Sequence, residues 1–255
     1  MIEIVLIPCL SDNYAVLLHD PQSLQTLLID APEVSPIIDC LDEKGWRLTD
    51  ILITHHHFDH VQGLPSLKSR DNACVRGPNM SKAEIGYDYG VSEGSSVQWS
   101  GRNIIVIETP GHTLDHVTYF IASEKLAFCG DTMFTLGCGR IFEGTPDMMW
   151  NSMMKIASLP SDTICYSGHE YTGSNARFAV TIDPENQSLL DLAKSVSEKR
   201  SANLPTVPTI LATELKTNPY LRTDDEEIRN HLNLQNATDA EVFAEIRRRK
   251  DNFSG

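Results

Sequence analysis

Residues 54–60 bring together five residues of the types that bind metal ions. The segment reads Thr-His-His-His-Phe-Asp-His and directly follows a short apolar run. In an extended segment successive side chains point to opposite sides, so His55, His57 and Asp59 are expected on one side, joined by His60 where the chain turns. Imidazole nitrogens and carboxylate oxygens are ligands for zinc, iron and manganese. The segment is therefore predicted to bind metal.

Three later apolar runs also end on turns that carry a potential ligand. These ligands are His112, Asp131 and His169. Ligands at the ends of consecutive strands lie where α/β and layered folds place their functional sites. Together with residues 54–60, they predict one constellation rather than scattered polar residues.

The candidate ligands divide into two sets that share one carboxylate. The first set is His55, His57, His112 and Asp131, and the second is Asp59, His60, His169 and Asp131. A carboxylate that bridges two cations holds them near the roughly 3.5–4 Å typical of two-metal hydrolytic sites. Two such cations lower the pKa of a shared water enough to supply hydroxide at neutral pH. Because a structural zinc site favours cysteine ligands, this set predicts catalysis.

The composition excludes several classes of partner. A net charge of -14 over 255 residues argues against nucleic acid, and no apolar run is long enough to span a membrane. The start of the chain lacks the basic region and apolar core of an export signal. The six cysteines are scattered, which favours reduced thiols in the cytoplasm. A cytoplasmic monomer is the simplest expectation.

Short strands with occasional helices are expected over the first two-thirds of the chain. Strands are predicted at 2–7, 15–19, 26–29, 51–53, 104–107, 117–121, 126–128 and 164–166. Helices are predicted at 34–44, ending at Gly45, and from about 61 to 68. These strands would carry the candidate ligands at their ends.

The pattern becomes helical from about residue 175 onward. Helices are predicted at 178–182, 185–200 and 239–250. Thr223 with Glu226, and Thr238 with Glu241, have the spacing of capping boxes at helix starts. We therefore predict two domains, 1–172 and 173–255, in an α/β protein whose C-terminal domain is helical.

The ligand motifs resemble the metal signature of the metallo-β-lactamase superfamily. The matching segments are His-His-His-Phe-Asp-His at 55–60, Gly-His-Thr at 111–113, Gly-Asp-Thr at 130–132 and Gly-His-Glu-Tyr at 168–171. A narrower resemblance to the glyoxalase II (hydroxyacylglutathione hydrolase) family extends to the C-terminus. It rests on Gly-Cys-Gly-Arg-Ile-Phe-Glu-Gly-Thr at 137–145, His-Glu-Tyr-Thr at 169–172 and Arg-Arg-Arg-Lys-Asp-Asn-Phe at 247–253.

This resemblance implies a fold, a cofactor and a reaction. The fold is an αββα metallo-β-lactamase sandwich followed by a helical glutathione-binding domain. The cofactor is two divalent metal ions held by the two ligand sets above, with zinc the default and iron or manganese also suitable. The reaction is hydrolysis of the thioester S-D-lactoylglutathione to D-lactate and glutathione, the second step of methylglyoxal detoxification. Asp59 and Asp131 are the implied catalytic residues.

Five residues match substrate-binding positions of that family. Arg247 and Lys250, at i and i+3 of the last predicted helix, match the residues that hold the glycine carboxylate of glutathione. Arg140 matches a basic substrate-binding position, and Tyr171 matches a hydroxyl donor near the thioester. Phe142 stands where several members have tyrosine, so one hydrogen bond to the substrate is expected to be absent.

Four residues near the ligands are interpreted as supporting the site or as departures from the family pattern. His56 is interpreted as a structural or ligand-orienting histidine, and His116 as one that orients a ligand. Asp115 replaces a small residue and adds a negative charge close to the site. Phe58 also departs from the family pattern. None of these differences affects a predicted metal ligand.

Other functions of the same fold are the main alternatives. A β-lactamase should carry an export signal, and an acyl-homoserine lactonase should lack the glutathione-binding C-terminal domain. A persulfide dioxygenase would use one iron and fewer ligands, against which the presence of both His60 and His169 argues. A non-catalytic protein that binds metal or a partner is disfavoured by the complete ligand set. Metal content and thioester hydrolysis would discriminate among these functions.

Overall fold

The computed structural model describes residues 1–254, which form two compact units. The first unit comprises residues 1–108 and 115–124, and the second comprises 109–114 and the chain from 125 onward. Strands and helices occur in both units, and the C-terminal part of the second is helical. The predicted α/β class with a helical C-terminal region is therefore confirmed. The predicted domain boundary after residue 172 stays a prediction.

The first unit contains a six-stranded mixed sheet and a three-stranded antiparallel meander. The strands of the sheet are β1 (Glu3–Cys9), β2 (Asn13–Asp20), β3 (Gln25–Ile29), β4 (Asp50–Leu52), β5 (Cys74–Pro78) and β6 (Tyr89–Val91). The strands of the meander are β7 (Ser96–Trp99), β8 (Arg102–Glu108) and β9 (Val117–Ile121). The helices of this unit are α1 (Ser35–Lys44), α2 (Phe58–Val61), α3 (Leu64–Asp71) and α4 (Lys82–Ile85).

The parallel half of this sheet determines where the first ligands lie. Strands β3 to β6 run parallel, and Ile29 of β3 pairs with Leu52 of β4. Because parallel strands end at the same edge of a sheet, Asp30 and residues 54–60 emerge side by side. The ligand segment therefore leaves the sheet at the end of β4, close to the strand predicted at 51–53.

An apolar core stabilises this edge of the sheet. Leu28, Ile51, Ile37 and Leu41 belong to one cluster and are completely buried. Ile37 and Leu41 lie four residues apart and therefore on one face of α1, the face that packs against the cluster. Burial of each such side chain contributes about 1.5–3 kcal/mol. Helix α1 ends at Gly45 in the left-handed conformation (φ +67°), as predicted.

The second unit combines a few strands with most of the helices. Its strands are β10 (Leu126–Gly130), β11 (Met133–Phe134), β12 (Gly137–Cys138), β13 (Ile164–Ser167) and β14 (Thr209–Ile210). Its helices are α5 (Pro146–Ala157), α6 (Thr172–Ile182), α7 (Gln187–Ser201), α8 (Leu211–Thr217), α9 (Glu226–Leu232) and α10 (Asp239–Asp251). Strands β10 and β13 pair in parallel, so Asp131 and His169 follow their ends at one edge.

Two of the predicted helix boundaries are wrong for identifiable reasons. The helix expected at 61–68 is divided into α2 and α3, because Pro65 has no backbone N–H and suits the first turn of a new helix. The start expected at Thr223 lies instead at Asp225, whose carboxylate accepts hydrogen bonds from the N–H groups of Glu227 and Ile228 at 3.0 and 3.2 Å. A charged acceptor is favoured over a hydroxyl at the positive end of a helix.

The capping box predicted at the last helix is confirmed. The Thr238 hydroxyl accepts a hydrogen bond from the Glu241 N–H at 3.3 Å, and the Glu241 carboxylate accepts one from the Thr238 N–H at 2.7 Å. This reciprocal pair fixes the start of α10, the helix that carries Arg247 and Lys250. Within residues 1–254, no helix combines the length and apolar character needed to cross a membrane.

Glu214 of α8 is a completely buried carboxyl group in the second unit. It accepts hydrogen bonds from the Leu136 N–H (2.8 Å), the Thr209 hydroxyl (2.7 Å) and the Asn218 amide (3.0 Å). Burial disfavours the charged form and raises the pKa of this carboxyl from 4.5 to about 6, although the three donors oppose the shift. The folded protein therefore holds this proton more tightly than the unfolded chain does.

Stability is expected to fall as Glu214 ionises. Since the folded state binds more protons between pH 4.5 and about 6, the contribution of this group to the free energy of unfolding decreases as pH rises through that window. The expected decrease is about 2 kcal/mol relative to Glu214→Gln, which cannot ionise. Urea unfolding of both proteins from pH 4 to 7 measures it. A pH-independent difference between the two would contradict this prediction.

Candidate metal centre

Residues 54–60 leave β4 in an extended conformation and then turn into α2. His57 is still extended (φ -58°, ψ 143°) and precedes the first residue of α2, which carries Asp59 and His60. The expectation that Asp59 lies in the extended segment is therefore wrong, because one helical turn already begins at Phe58. The ring centroids of His57 and His60 lie 4.8 and 4.1 Å from that of the completely buried His55.

Asp30 contacts two of these histidines, His60 directly and His55 through Thr54. It is buried, and its Oδ2 lies 2.9 Å from Nδ1 of His60. The same carboxylate accepts hydrogen bonds from the Thr54 N–H (2.7 Å) and the Thr54 hydroxyl (2.8 Å), and the hydroxyl oxygen lies 3.0 Å from Nδ1 of His55. One carboxylate thus fixes two imidazole rings, one of them through a threonine. In the sequence, Asp30 is visible only as the residue that follows the strand predicted at 26–29.

Replacing Asp30 with asparagine is expected to weaken metal binding about 10- to 100-fold. In either orientation the amide NH2 would face a donor, which is the Thr54 N–H at the position of Oδ1 or the Thr54 hydroxyl and Nδ1 of His60 at that of Oδ2. Chelator competition measures the metal affinity. The matched control is Asp20→Asn, because Asp20 is also a buried carboxylate at a strand end and binds Arg102 rather than a histidine. Equal affinities of the two variants would contradict a role of Asp30 in orienting the ligands.

Asp59 and His56 have different partners within the first unit. Nδ2 of Asn13 donates to the backbone oxygen (3.1 Å) and to Oδ2 (3.0 Å) of Asp59, which fixes a carboxylate that is otherwise 41% exposed. Nδ1 of His56 lies 2.9 Å from Oδ1 of Asp115. The charge that Asp115 adds therefore lies against His56, whose interpretation as a structural or ligand-orienting histidine stays a prediction.

His116 packs directly on a predicted ligand. Its ring stacks on that of His55, with centroids 4.9 Å apart and planes at 28°. The side chain of His116 is completely buried. This contact agrees with an orienting role for His116.

The second unit brings together the other three predicted ligands. Oδ2 of Asp131 lies 3.4 Å from Nε2 of His112 and 3.2 Å from Nε2 of His169. Nδ1 of His112 is held by the backbone oxygen of Arg140 at 2.7 Å. Two imidazole nitrogens therefore converge on one carboxylate oxygen, while the sharing of this carboxylate between two ions stays a prediction.

Gly139 allows the loop at 137–142 to pack against this group. A Cβ atom at this position would lie 1.9 Å from the backbone oxygen of Asp131, far inside contact distance. The Gly139 N–H also donates to the backbone oxygen of Thr132 at 3.1 Å. The loop therefore needs glycine here to place the Arg140 oxygen on His112.

The ligand chemistry fits divalent cations. His55, His60 and His112 each engage Nδ1 with an oxygen partner, so that Nε2 is the nitrogen whose lone pair can bind a metal. All seven predicted ligands occur in groups of histidine and aspartate that could hold a metal ion. The donors are nitrogen and carboxylate oxygen without cysteine, which suits zinc, iron and manganese alike.

Arg247 and Lys250 lie on one face of α10, as their spacing predicted. The buried guanidinium of Arg247 donates to the Cys138 backbone oxygen and to the Asp251 carboxylate, both at 2.9 Å. The Lys250 ammonium donates to the hydroxyl of Ser174 at 2.9 Å and to its backbone oxygen at 3.1 Å. Burial and the positive charge of Arg247 lower the pKa of Lys250 to about 8.

The other three predicted substrate contacts are exposed in the second unit. The Arg140 guanidinium lies 5.5 Å from the ring centroid of Phe142, whose edge contacts His112. The Tyr171 ring stacks on His169 with centroids 4.7 Å apart and planes at 7°. Phe142 and Tyr171 thus contact predicted ligands and remain open to solvent.

Comparison with known proteins adds an independent observation. The family model of the metallo-β-lactamase superfamily matches residues 24–169, and that of the hydroxyacylglutathione hydrolase C-terminus matches residues 170–253. The hydroxyacylglutathione hydrolases of Roseobacter denitrificans and Mesorhizobium japonicum are each 51% identical over 253 residues, which is 99% of both chains. The crystal structure of the BLEG-1 B3 metallo-β-lactamase superposes with a TM-score of 0.68 at 20% identity, covering 86% of this chain and 100% of its own. The predicted metallo-β-lactamase fold is confirmed.

Proposed function

The chain belongs to the hydroxyacylglutathione hydrolase (glyoxalase II) family of the metallo-β-lactamase superfamily, and we propose that it hydrolyses S-D-lactoylglutathione to D-lactate and glutathione. One observation carries the proposal. The match to the family includes both the part with the seven ligands and the C-terminal part with Arg247 and Lys250. A sibling hydrolase of the same fold would need only the first part.

The proposed cofactor is a pair of divalent metal ions, with zinc the first choice and iron or manganese alternatives. One ion would be held by His55, His57, His112 and Asp131, and the other by Asp59, His60, His169 and Asp131. The convergence of two Nε2 atoms on Oδ2 of Asp131 supports a shared carboxylate. When bound, such a pair supplies water activated at neutral pH and positive charge for the oxyanion.

The residues of the chain position the reacting groups. Asp59, fixed by Asn13, can accept a hydrogen bond from the attacking water and so direct its lone pair at the thioester carbonyl. The leaving group is a thiolate, which departs without strong assistance from a general acid. Oδ2 of Asp131 lies 3.4 Å from Nε2 of His112 and 3.2 Å from Nε2 of His169, where all three atoms could bind the proposed cations. The catalytic assignments of Asp59 and Asp131 rest on these positions.

The basic residues provide the charge that glutathione requires on an acidic protein. We assign Arg247 and Lys250 to its glycine carboxylate, since both lie on one face of α10 and both remain mainly protonated at neutral pH. Within residues 1–254, Nε of Arg247 is buried without a hydrogen-bond partner, and binding a carboxylate would use that capacity. Arg140 and Tyr171 are assigned to the rest of the substrate, and Phe142 to an apolar contact.

The remaining assignments complete this proposal. Residues 1–172 would form the catalytic domain and residues 173–255 the glutathione-binding domain of a monomer. A cytoplasmic location is supported by the six free cysteines. A small-molecule glutathione thioester is the proposed partner, and neither nucleic acid nor a membrane is expected to bind a chain of charge -14.

Initial rates on a panel of substrates test this function. The panel contains S-D-lactoylglutathione, a β-lactam, an acyl-homoserine lactone and glutathione persulfide, each assayed with the metal-loaded protein. Hydrolysis of the thioester with a kcat/KM at least about 100-fold above the others is expected. Preference for any other member would replace the proposed function with that of a sibling enzyme.

The lactoyl thioester of N-acetylcysteamine separates the acyl group from the glutathione part. It presents the same reacting carbonyl but no carboxylate. If the basic residues recognise glutathione, the KM of the N-acetylcysteamine thioester is expected to exceed that of S-D-lactoylglutathione. The two kcat values are expected to differ less than the two KM values. Equal KM values would show that the glutathione part is not recognised.

A further inference from the structure

The β11–β12 hairpin, residues 133–138, leads directly into the loop that contacts two functional residues. The backbone oxygen of Cys138 accepts a hydrogen bond from the Arg247 guanidinium at 2.9 Å. Two residues later, the backbone oxygen of Arg140 holds Nδ1 of His112 at 2.7 Å. The position of the hairpin therefore affects both a predicted substrate contact and a predicted metal ligand.

This hairpin is too short to hold its own position. Only two residue pairs connect its strands, and Leu136 in its turn has a left-handed backbone (φ +57°). Side chains from the helical part supply the missing contacts. The Glu214 carboxylate accepts from the Leu136 N–H at 2.8 Å, and the Asn218 amide donates to the backbone oxygen of Gly137 at 3.1 Å.

Glu214 is the centre of these contacts. Its Oε2 receives both the Leu136 N–H and the Asn218 amide, while its Oε1 receives the Thr209 hydroxyl. The carboxylate thus fixes the hairpin directly and also orients Asn218, which holds the hairpin a second time. Burying a carboxylate costs free energy unless hydrogen bonds compensate it, and here the compensating donors are the Leu136 N–H, the Thr209 hydroxyl and the Asn218 amide.

We propose that Glu214 is a positioning residue for the reaction, holding residues 133–138 so that the Cys138 and Arg140 backbone oxygens meet Arg247 and His112. Its effect on catalysis rests on the proposed function. Its effect on the hairpin does not. Loss of Glu214 would release the Leu136 N–H and let the loop at 137–142 shift away from the substrate and the metal ligands.

Three substitutions distinguish the effect of the hydrogen bonds of Glu214 from the effect of its negative charge. Glu214→Gln keeps the reach, since its carbonyl oxygen can accept from Leu136 and Asn218 while its amide donates to the Thr209 hydroxyl. Glu214→Asp keeps a carboxylate but shortens the side chain by one methylene, so that the carboxylate lies farther from the Leu136 N–H. Glu214→Leu removes the acceptor entirely. If the leucine variant does not fold, the aspartate variant carries the comparison.

The control is Asp183→Asn at the end of α6. Asp183 is also buried, accepts a hydrogen bond from Asn186 at 2.8 Å and pairs with Arg222. Both of these partners lie outside the hairpin. Its substitution is expected to lower stability without changing the hairpin. The Asp183→Asn variant therefore shows how the loss of a buried carboxylate affects exchange and kinetics when that carboxylate does not contact the hairpin.

The test combines amide hydrogen exchange over residues 133–140 with steady-state kinetics on S-D-lactoylglutathione. We expect faster exchange and a KM raised about five- to tenfold for the aspartate and leucine variants, with values near wild type for Glu214→Gln and Asp183→Asn. Unchanged exchange in the aspartate and leucine variants would overturn the proposal, as would faster exchange with an unchanged KM. A wild type inactive on the thioester would overturn the proposed function instead, and exchange would still decide whether Glu214 holds the hairpin.

Discussion

Replacing Asp131 with alanine is expected to lower kcat at least about a thousandfold and to reduce the bound metal. The reason is geometric, since Oδ2 of Asp131 lies 3.4 and 3.2 Å from the Nε2 atoms of His112 and His169, two proposed ligands. Without that carboxylate the proposed site would lose the anion that its two cations would share. Metal analysis and steady-state kinetics on the same preparation measure the two effects.

The matched control for this substitution is Asp162→Ala. Asp162 lies on the same unit, in the turn before β13, and pairs with the exposed Lys125. A surface ion pair contributes about 0–1 kcal/mol, so metal content and kcat should match the wild type. A fully active Asp131→Ala variant would mean that this carboxylate is not part of the metal site.

Replacing Arg247 with alanine is expected to raise KM about 10- to 100-fold with a smaller change in kcat. A contact to a carboxylate remote from the reacting carbon stabilises substrate and transition state alike, so its loss appears mainly in KM. Some loss of kcat is also expected, because Arg247 holds the Cys138 backbone oxygen at 2.9 Å. Steady-state hydrolysis of S-D-lactoylglutathione measures both constants.

Two comparisons make the Arg247 result specific. Arg248→Ala removes a neighbouring, exposed arginine that pairs with Glu245, and its KM should equal that of the wild type. A thioester of γ-glutamylcysteine amide, which has no carboxylate at that end, should bind wild type and Arg247→Ala almost equally. An unchanged KM on the full substrate would remove Arg247 from the binding site.

The parts of the fold that follow from local chemistry were predictable from the sequence. Gly45 ends α1 because glycine tolerates the left-handed conformation, and Thr238 with Glu241 begins α10 because the two side chains satisfy each other's backbone N–H groups. The ligand types were equally visible, since His55 and His57 are separated by one residue after an apolar run. Such features depend on residues within four positions of each other.

The residues that support the site could not be recognised in the same way. Asp30 contacts His60, 30 residues along the chain, and Glu214 contacts Leu136, 78 residues away. A carboxylate after a strand or within a helix gives no sign of such partners, because they depend on how strands and helices pair. The start of α2 at Phe58 could not be predicted either, because the periodicity of residues 54–60 suits an extended segment equally well.

We propose that two metal ions on this chain serve the hydrolysis of a glutathione thioester. The most direct measurement determines the metal content and the hydrolysis of S-D-lactoylglutathione in one preparation, before and after removal of metal by a chelator. We predict about two ions per chain and saturable release of glutathione, lost with the metal and restored when metal returns. About two ions per chain with no hydrolysis of this thioester would contradict the claim and indicate a sibling hydrolase.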